Sequence, residues 1–151
     1  MRIDRLALLL LLAYLLLLAL LTLRPVGADV DSNLRLNLEP FATIGPALHH
    51  GPGSRIFATL VGNLLAFMPL GLLLPIVFSR IHWLGVIAAG LVLSVAIESA
   101  QLGLSLYLGF GYRAAEVDDV IVNVAGTVVG LALFGVAAVT SSVVRRGRSA
   151  G

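Results

Sequence analysis

Four long apolar stretches alternate with short polar segments along this chain. A helix needs about 20 mostly apolar residues to cross a bilayer. The third stretch is interrupted at Glu98, beyond which the apolar pattern resumes as far as Leu108. The pattern therefore predicts four transmembrane helices, the third of which carries a carboxyl group inside the bilayer. Their expected bounds are about 6–23, 56–78, 83–108 and 118–144.

The arginines predict how the chain is oriented, because basic residues concentrate in short cytoplasmic segments. With the N-terminus inside, six arginines lie on the cytoplasmic side and four on the outer side. We therefore expect an all-α membrane protein with both termini in the cytoplasm and one integral membrane domain over 6–140. An outer loop covers 24–55, and a basic cytoplasmic tail covers 145–151. The first apolar run exceeds the usual signal-peptide core of about 7–15 residues, so we expect an uncleaved helix.

Composition narrows the classes of function. Hydrophobic residues make up 59% of the chain and charged residues only 12%, whereas soluble domains average about 25% charged residues. This excludes a soluble enzyme, a disordered chain and a nucleic-acid-binding protein. The net charge of +2 reflects few charges rather than a basic face. Because cysteine is absent, disulfides and thiolate metal sites are excluded. We expect no cofactor and assign no metal site; a hard divalent ion with oxygen ligands stays an open alternative, because nothing fixes a ligand set.

The first outer loop contains a patterned segment. Polar and apolar residues alternate over 33–39, which is the period of a strand or of an extended segment lying on a surface. Pro40 ends this segment, and Phe41 and Ile44 are suited to anchoring at the headgroup level. The later stretch His-His-Gly-Pro-Gly, which begins at His49, is typical of a solvated turn.

Four polar residues within the spans are expected at a similar depth. A charge at the bilayer centre costs roughly 2.5–3.5 kcal/mol, so such groups face a protein interior or a water-filled cavity. At the helical rise, Glu98 lies about 15 Å below the outer boundary, and Gln101 lies one turn closer to it. Asn63 lies about 10 Å deep and Asn123 about 5–10 Å deep. The sequence therefore predicts a polar pocket in the outer half of the bilayer.

Helical spacing places these polar groups on directional faces. The third span presents one polar stripe, and a second stripe on the fourth span ends in two glycines that allow close helix packing. The second span contains prolines and a glycine that predict a kink, which would widen the outer half into a cavity. The polar stripe of the third span is Ser94, Glu98, Gln101 and Ser105. The stripe of the fourth span is Asp119, Asn123, Gly126 and Gly130, and the second span contains Pro69, Gly71 and Pro75.

Two interpretations of the buried amides stay open. In one, Asn63, Gln101 and Asn123 form interhelical hydrogen bonds, each worth about 0.6 kcal/mol. In the other, they line a binding site together with Glu98, since an ionisable group inside a membrane is a functional candidate by default.

The outer ends of the third and fourth spans carry more acids than bases. Glu98 and three later acids accompany a single basic residue, Arg113, whose guanidinium suits bidentate binding of a phosphate. Asp119 lies at the mouth of the expected pocket. Glu116 and Asp118 are interpreted as acids that favour the first turn of a helix.

Four short blocks, in order, resemble those of the VanZ-like membrane protein family. They are Asn37-Leu-Glu-Pro-Phe41, Asn63-Leu-Leu-Ala-Phe-Met-Pro-Leu-Gly71, Glu98-Ser-Ala-Gln101, and Arg113-Ala-Ala-Glu-Val-Asp-Asp119 followed by Asn123 and Gly126. The resemblance spans about Asn37 to Gly130 and departs from the family's usual residues at Glu39, Ala115 and Glu116.

The resemblance implies a multi-pass protein of the bacterial plasma membrane. The family's namesake is associated with low-level resistance to the glycopeptide teicoplanin. Our leading hypothesis is therefore a protein that binds a lipid-linked cell-wall precursor, a lipid headgroup or a lipoglycopeptide at the outer leaflet. The expected ligand-binding residues are Asn63, Glu98, Gln101, Arg113, Asp119 and Asn123.

Two other functions are retained. One is an intramembrane enzyme that modifies a lipid headgroup, with Glu98 and Asp119 as an acid–base pair. The other is a structural or transport role, in which oligomerisation through Gly126 and Gly130 stays open; the lack of an internal repeat argues against a self-contained transporter. Neither a nucleophile elbow nor a zinc or phosphate-loop motif is present, so binding is favoured over catalysis.

Overall fold

The computed structural model describes residues 4–23, 36–108 and 115–148, which form five helices and two short strands. Four of these helices are long and apolar enough to cross a membrane. The prediction of a helical fold with four such helices is confirmed. In chain order the elements are α1 (Arg5–Thr22), β1 (Leu36–Asn37), α2 (Ile44–His50), α3 (Arg55–Val77), α4 (Trp83–Leu108), β2 (Ala115–Glu116) and α5 (Val117–Arg148).

Two of the long helices begin at side-chain caps. The carboxylate of Asp4 accepts hydrogen bonds from the N–H groups of Leu6 and Ala7 at the start of α1. The hydroxyl of Ser54 accepts one from Phe57 at the start of α3. Each cap satisfies backbone donors that have no partner within the helix, so the sequence itself fixes where these spans begin.

Helix α3 runs unbroken through Pro69 and Pro75. A proline removes one backbone donor, so the carbonyl four residues before it loses its partner. In the turn that precedes Pro69, the hydroxyl of Tyr14 donates to the carbonyl of Ala66 over 2.8 Å. This contact joins α1 to α3 beside the disturbed turn.

The apolar core lies where α1, α3 and the first half of α4 meet. Since lipid tails are as apolar as leucine side chains, this core is held by close packing rather than by exclusion of water. Its buried members are Ala7, Leu11, Leu18, Phe67, Leu70, Leu74, Val77 and Val86.

Helices α3 and α5 touch backbone to backbone. A Cβ atom added at Gly126 would overlap the carbonyl of Leu64, and one added at Gly130 would overlap the carbonyl of Met68. On the opposite side, a Cβ atom at Gly71 would overlap the backbone of α5. Because α3 of the same chain covers both Gly126 and Gly130, these glycines do not offer a free surface to a second copy.

The polar connections meet at one end of the helices, which we call the loop end. It holds the C-terminal ends of α1 and α4 and the N-terminal ends of α3 and α5. There β1 and β2 pair in parallel, with Leu36 opposite Ala115 and Asn37 opposite Glu116. The predicted extended segment is therefore a strand over its first described residues, Leu36–Asn37, and it fastens the first connection to the last.

Helix α2 forms where the sequence suggested a loop and a turn. Ile44, Ala47 and Leu48 have the i, i+3, i+4 spacing of one helical face, and Ala47 is completely buried. The glycine, proline and histidines within these seven residues mask that pattern. The helix ends at Gly51, whose φ of 71° favours glycine.

Candidate functional site

Six buried polar residues lie along α4 and the part of α5 that packs against it. On α4 they repeat at the spacing of a single helical stripe, and every one has an exposed fraction of 9% or less. A seam buried this deeply faces protein rather than lipid. We call it the polar seam: Ser94, Glu98, Gln101 and Ser105 on α4, with Asn123 and Thr127 on α5.

Asn123 crosses the seam but leaves one of its atoms unused. Its Nδ2 donates to Oγ of Ser94 over 2.9 Å. Its Oδ1 is buried and accepts no hydrogen bond from any described residue. A buried acceptor without a donor costs about 1–3 kcal/mol, so native proteins seldom leave one without a reason.

Close packing continues along the seam at Thr127. The Thr127 side chain is fully buried, and a Cβ atom added at Gly90 of α4 would lie 2.9 Å from Cβ of Thr127. The threonine hydroxyl donates back to the carbonyl of Asn123 within its own helix. The contact of Thr127 with Gly90 closes the seam on the side of Asn123 that lies away from the loop end.

Glu98 lies one helical turn from Ser94, towards the loop end. The N–H of Glu116 in β2 donates to Oε2 of Glu98 over 3.3 Å. The strand pair therefore lies next to the carboxyl group of Glu98, and the seam runs from the interior of the bundle to the loop end.

Gln101 fastens α1 to α4. Its Nε2 donates to the carbonyl of Thr22 over 2.9 Å, and Thr22 is the last residue of α1. The final carbonyls of a helix have no partner within it, so the Gln101 amide supplies one. This geometry matches the interhelical hydrogen bond that the sequence left open for this residue.

Asp118 binds the backbone of the first connection. Its Oδ1 accepts the N–H of Phe41 over 2.6 Å, and its Oδ2 accepts the N–H groups of Thr43 over 2.7 Å and Ile44 over 3.0 Å. The Asp118 side chain is 2% exposed. We call these three bonds the Asp118 clamp. Asp118 lies in the first turn of α5 as expected, but its carboxylate holds another part of the chain.

The clamp and the polar seam are joined by Glu116. The hydroxyl of Thr43 donates to Oε2 of Glu116 over 2.7 Å, while the N–H of Glu116 donates to Glu98. Residues 41–44 are thus connected to the carboxyl group of Glu98 through one intermediate residue. A displacement of the first connection would change the surroundings of Glu98.

The other predicted site residues are Asn63, Asp119 and Arg113. Asn63 is half-buried on the same face of α3 as Phe67, one turn nearer the loop end, and makes no hydrogen bond to another described residue. Asp119 is half-buried in the first turn of α5. Arg113 lies outside the described residues. The structure therefore places Glu98, Gln101 and Asn123 on a common seam, whereas Asn63 lies on α3.

The histidines and acids in the described parts of the chain are not grouped as a metal centre. Among residues 4–23, 36–108 and 115–148, no group of three or more His, Cys, Asp or Glu residues could hold a metal ion. His49 and His50 are exposed at the end of α2, and Nδ1 of His50 lies 2.7 Å from the carbonyl oxygen of Pro46.

Comparison with known proteins agrees with this architecture. Protein VanZ of Enterococcus faecium is 35% identical over 100 residues, an alignment that covers 66% of this chain and 52% of that relative. The chain therefore spans about half the length of this relative. No solved structure matches the chain. The model of the VanZ/LLP1 family matches residues 9–138, and with four helices able to cross a membrane this chain is a multi-pass membrane protein of the VanZ/LLP1 family.

Proposed function

We propose that the protein binds an amphiphile at the outer leaflet of the bacterial plasma membrane and thereby lowers susceptibility to teicoplanin. The ligand class is a lipid-linked cell-wall precursor, a lipid headgroup or a lipoglycopeptide. These compounds share an apolar tail and a polar head rich in N–H and O–H donors. The family membership supports the link to teicoplanin, and the polar seam supports the binding.

The observation that carries the proposal is the unused Oδ1 of Asn123. It is buried, it accepts no hydrogen bond from the described residues, and it belongs to the seam that contains Glu98. A donor from a bound headgroup would satisfy this atom. Both Asn123 Oδ1 and an ionised Glu98 are acceptors, so the seam favours ligands that present donors.

The loop end supplies the route to the seam. The arginine distribution supports an outer location for the loop end, on the side of the membrane where lipid-linked precursors and glycopeptides are present. The strand pair and the Asp118 clamp lie between that surface and Glu98. A ligand that reaches Glu98 from the outer leaflet must therefore pass beside residues 41–44 and 115–118.

The first test measures teicoplanin susceptibility of a sensitive Gram-positive host that expresses the full chain. Glu98→Gln and Asn123→Ala are compared with Ser99→Ala, which alters an exposed residue next to Glu98. Membrane levels of all four proteins are matched. We expect the wild type and Ser99→Ala to protect the host, and the two seam variants to lose protection. Equal protection by all four would contradict a role for the seam.

The second test measures binding directly. Purified protein in nanodiscs is titrated with fluorescent teicoplanin and with a glycopeptide that has no lipid tail. The proposal predicts saturable binding of the lipidated compound, weaker binding of the other, and loss of binding in Asn123→Ala. Equal binding to protein-free nanodiscs would show partition into lipid rather than a site.

A further inference from the structure

Three large apolar residues are displayed at the loop end. The exposed fractions are 69% for Leu38, 63% for Phe41 and 62% for Leu48. They lie within eleven consecutive residues around α2, outside the four long helices. Contiguous exposed apolar surface on a protein marks a partner, a ligand or a membrane.

Helix α2 is amphipathic despite its length of seven residues. Ala47 is completely buried, and Leu48 lies about 100° from it around the helix axis, on the same side as Ile44. His49 and His50 occupy the opposite arc and are exposed. The side of α2 that carries Ala47 thus packs on the protein. The side that carries Leu48 is apolar and exposed, and the side that carries the two histidines is polar.

The segment cannot extend far from the helices that it joins. At its start, the Asp118 clamp holds the N–H groups of Phe41, Thr43 and Ile44 to the first turn of α5. At its end, four residues separate α2 from the first residue of α3. The helix itself is about 10 Å long. Its uncovered apolar side therefore lies at the level where α3 and α5 reach the end of their apolar stretches.

Phe41 is held in an uncommon backbone conformation that displays its ring. Its φ is 68°, in the left-handed region that non-glycine residues seldom adopt. The clamp fixes this conformation through the N–H of Phe41 itself. The Phe41 ring is bulky, apolar and 63% exposed, so it is directed away from the core of the protein.

We propose that residues 38–48 form an interfacial anchor, in which Leu38, Phe41 and Leu48 insert into the headgroup region of the same bilayer that α3 and α5 cross. The histidine side of α2 faces water. The occupant of this surface is lipid, because the tethers hold the segment at the end of the helices that can cross a membrane. The exposed apolar surface of α3 also begins at this end, with Ile56 40% exposed. Interfacial helices typically bury their apolar side about 5–10 Å deep.

The absence of cysteine from the chain permits a direct test. Phe41→Cys, Leu48→Cys and the control His49→Cys are labelled with a nitroxide, and each full-length protein is reconstituted in phosphatidylglycerol–phosphatidylcholine nanodiscs. Paramagnetic resonance then measures collisions with oxygen, which concentrates in lipid, and with a water-soluble nickel chelate. Size-exclusion chromatography shows that each variant is monodisperse, and Leu38→Cys replaces either test variant that is not.

If the anchor inserts into lipid, labels at positions 41 and 48 should collide with nickel much less often, and with oxygen more often, than the control label at position 49. The label at position 49 is expected to collide freely with nickel, although it is the immediate neighbour of position 48. Nickel accessibility at 41 and 48 equal to that at 49 would overturn the proposal, and would leave the apolar surface free for a protein partner. The result is independent of whether the polar seam binds a ligand.

Discussion

Replacement of Asp118 by asparagine tests the strongest contact at the loop end. The two side chains have nearly the same shape, but an amide has one accepting oxygen where the carboxylate has two. The carboxylate serves three backbone donors, two at Oδ2 and one at Oδ1. The least costly arrangement turns the amide nitrogen towards Phe41, which loses its bond, and keeps the oxygen for Thr43 and Ile44.

The size of the effect follows from the number and type of these bonds. A hydrogen bond to a charged group contributes about 1.5–3 kcal/mol, and a neutral bond about 0.5–1.5 kcal/mol. One bond is lost in Asp118→Asn and two become neutral. At the lower limits these changes sum to about 3.5 kcal/mol. Because water reaches part of the segment and replaces part of the lost bonding, we expect about 3 kcal/mol. This corresponds to about a 150-fold increase in the opening of residues 41–44.

Hydrogen exchange of individual backbone amides measures this opening. In nanodiscs, the amides of Phe41, Thr43 and Ile44 should exchange about 100-fold faster in Asp118→Asn, while those in the middle of α3 and α5 keep their rates. The matched control is Glu116→Gln, which also removes an acid but retains an oxygen for the Thr43 hydroxyl. Its effect on the three amides should be small.

Two outcomes would refute this reasoning. If Asp118→Asn leaves the three amides as protected as in the wild type, the carboxylate does not hold the segment. If Glu116→Gln accelerates exchange as much as Asp118→Asn, the effect arises from charge at the loop end and not from the geometry of the clamp.

Two further predictions concern the helix contacts. Gly130→Ala places a methyl group against a backbone carbonyl of α3 and should destabilise the protein by about 1–3 kcal/mol in detergent unfolding. The control Gly135→Ala, whose added methyl group meets nothing within 4 Å, should be neutral or stabilising by up to about 1 kcal/mol. Equal effects of the two substitutions would contradict the close contact of α3 with α5. Tyr14→Phe removes the hydrogen bond from the hydroxyl group to α3 and should lower the free energy of unfolding by about 0.6 kcal/mol in the same assay. The control Tyr107→Phe, at an 86% exposed residue, should leave it unchanged. Unchanged stability in both variants would show that the Tyr14 hydrogen bond contributes no net free energy.

The four spans were predictable because hydropathy over about 20 residues is a property of the local sequence. The stripe from Ser94 to Ser105 was also visible as a repeat along one helix. Which neighbour each residue meets was not visible, because that depends on how the helices are arranged. Gln101 illustrates the difference: its burial followed from spacing, whereas its bond to Thr22 required α1 to end beside it.

The Asp118 clamp could not be found from the sequence. Its three donors are backbone N–H groups, which every residue except proline carries, and they lie 74–77 positions earlier in the chain. An acid in the first turn of a helix already has a sufficient local explanation. The one available signal was the clustering of four acids near a single arginine, which indicated that some of them needed partners elsewhere.

The distance in sequence between Asp118 and its donors also sets an order of assembly. At a synthesis rate of about 5–20 residues per second, residues 41–44 are synthesised several seconds before Asp118. During that time α1, α3 and α4 can insert, but the first connection has no acceptor to hold it and β1 has no partner strand. The loop end therefore closes last, when α5 enters the membrane, and a chain truncated before α5 should retain an open loop.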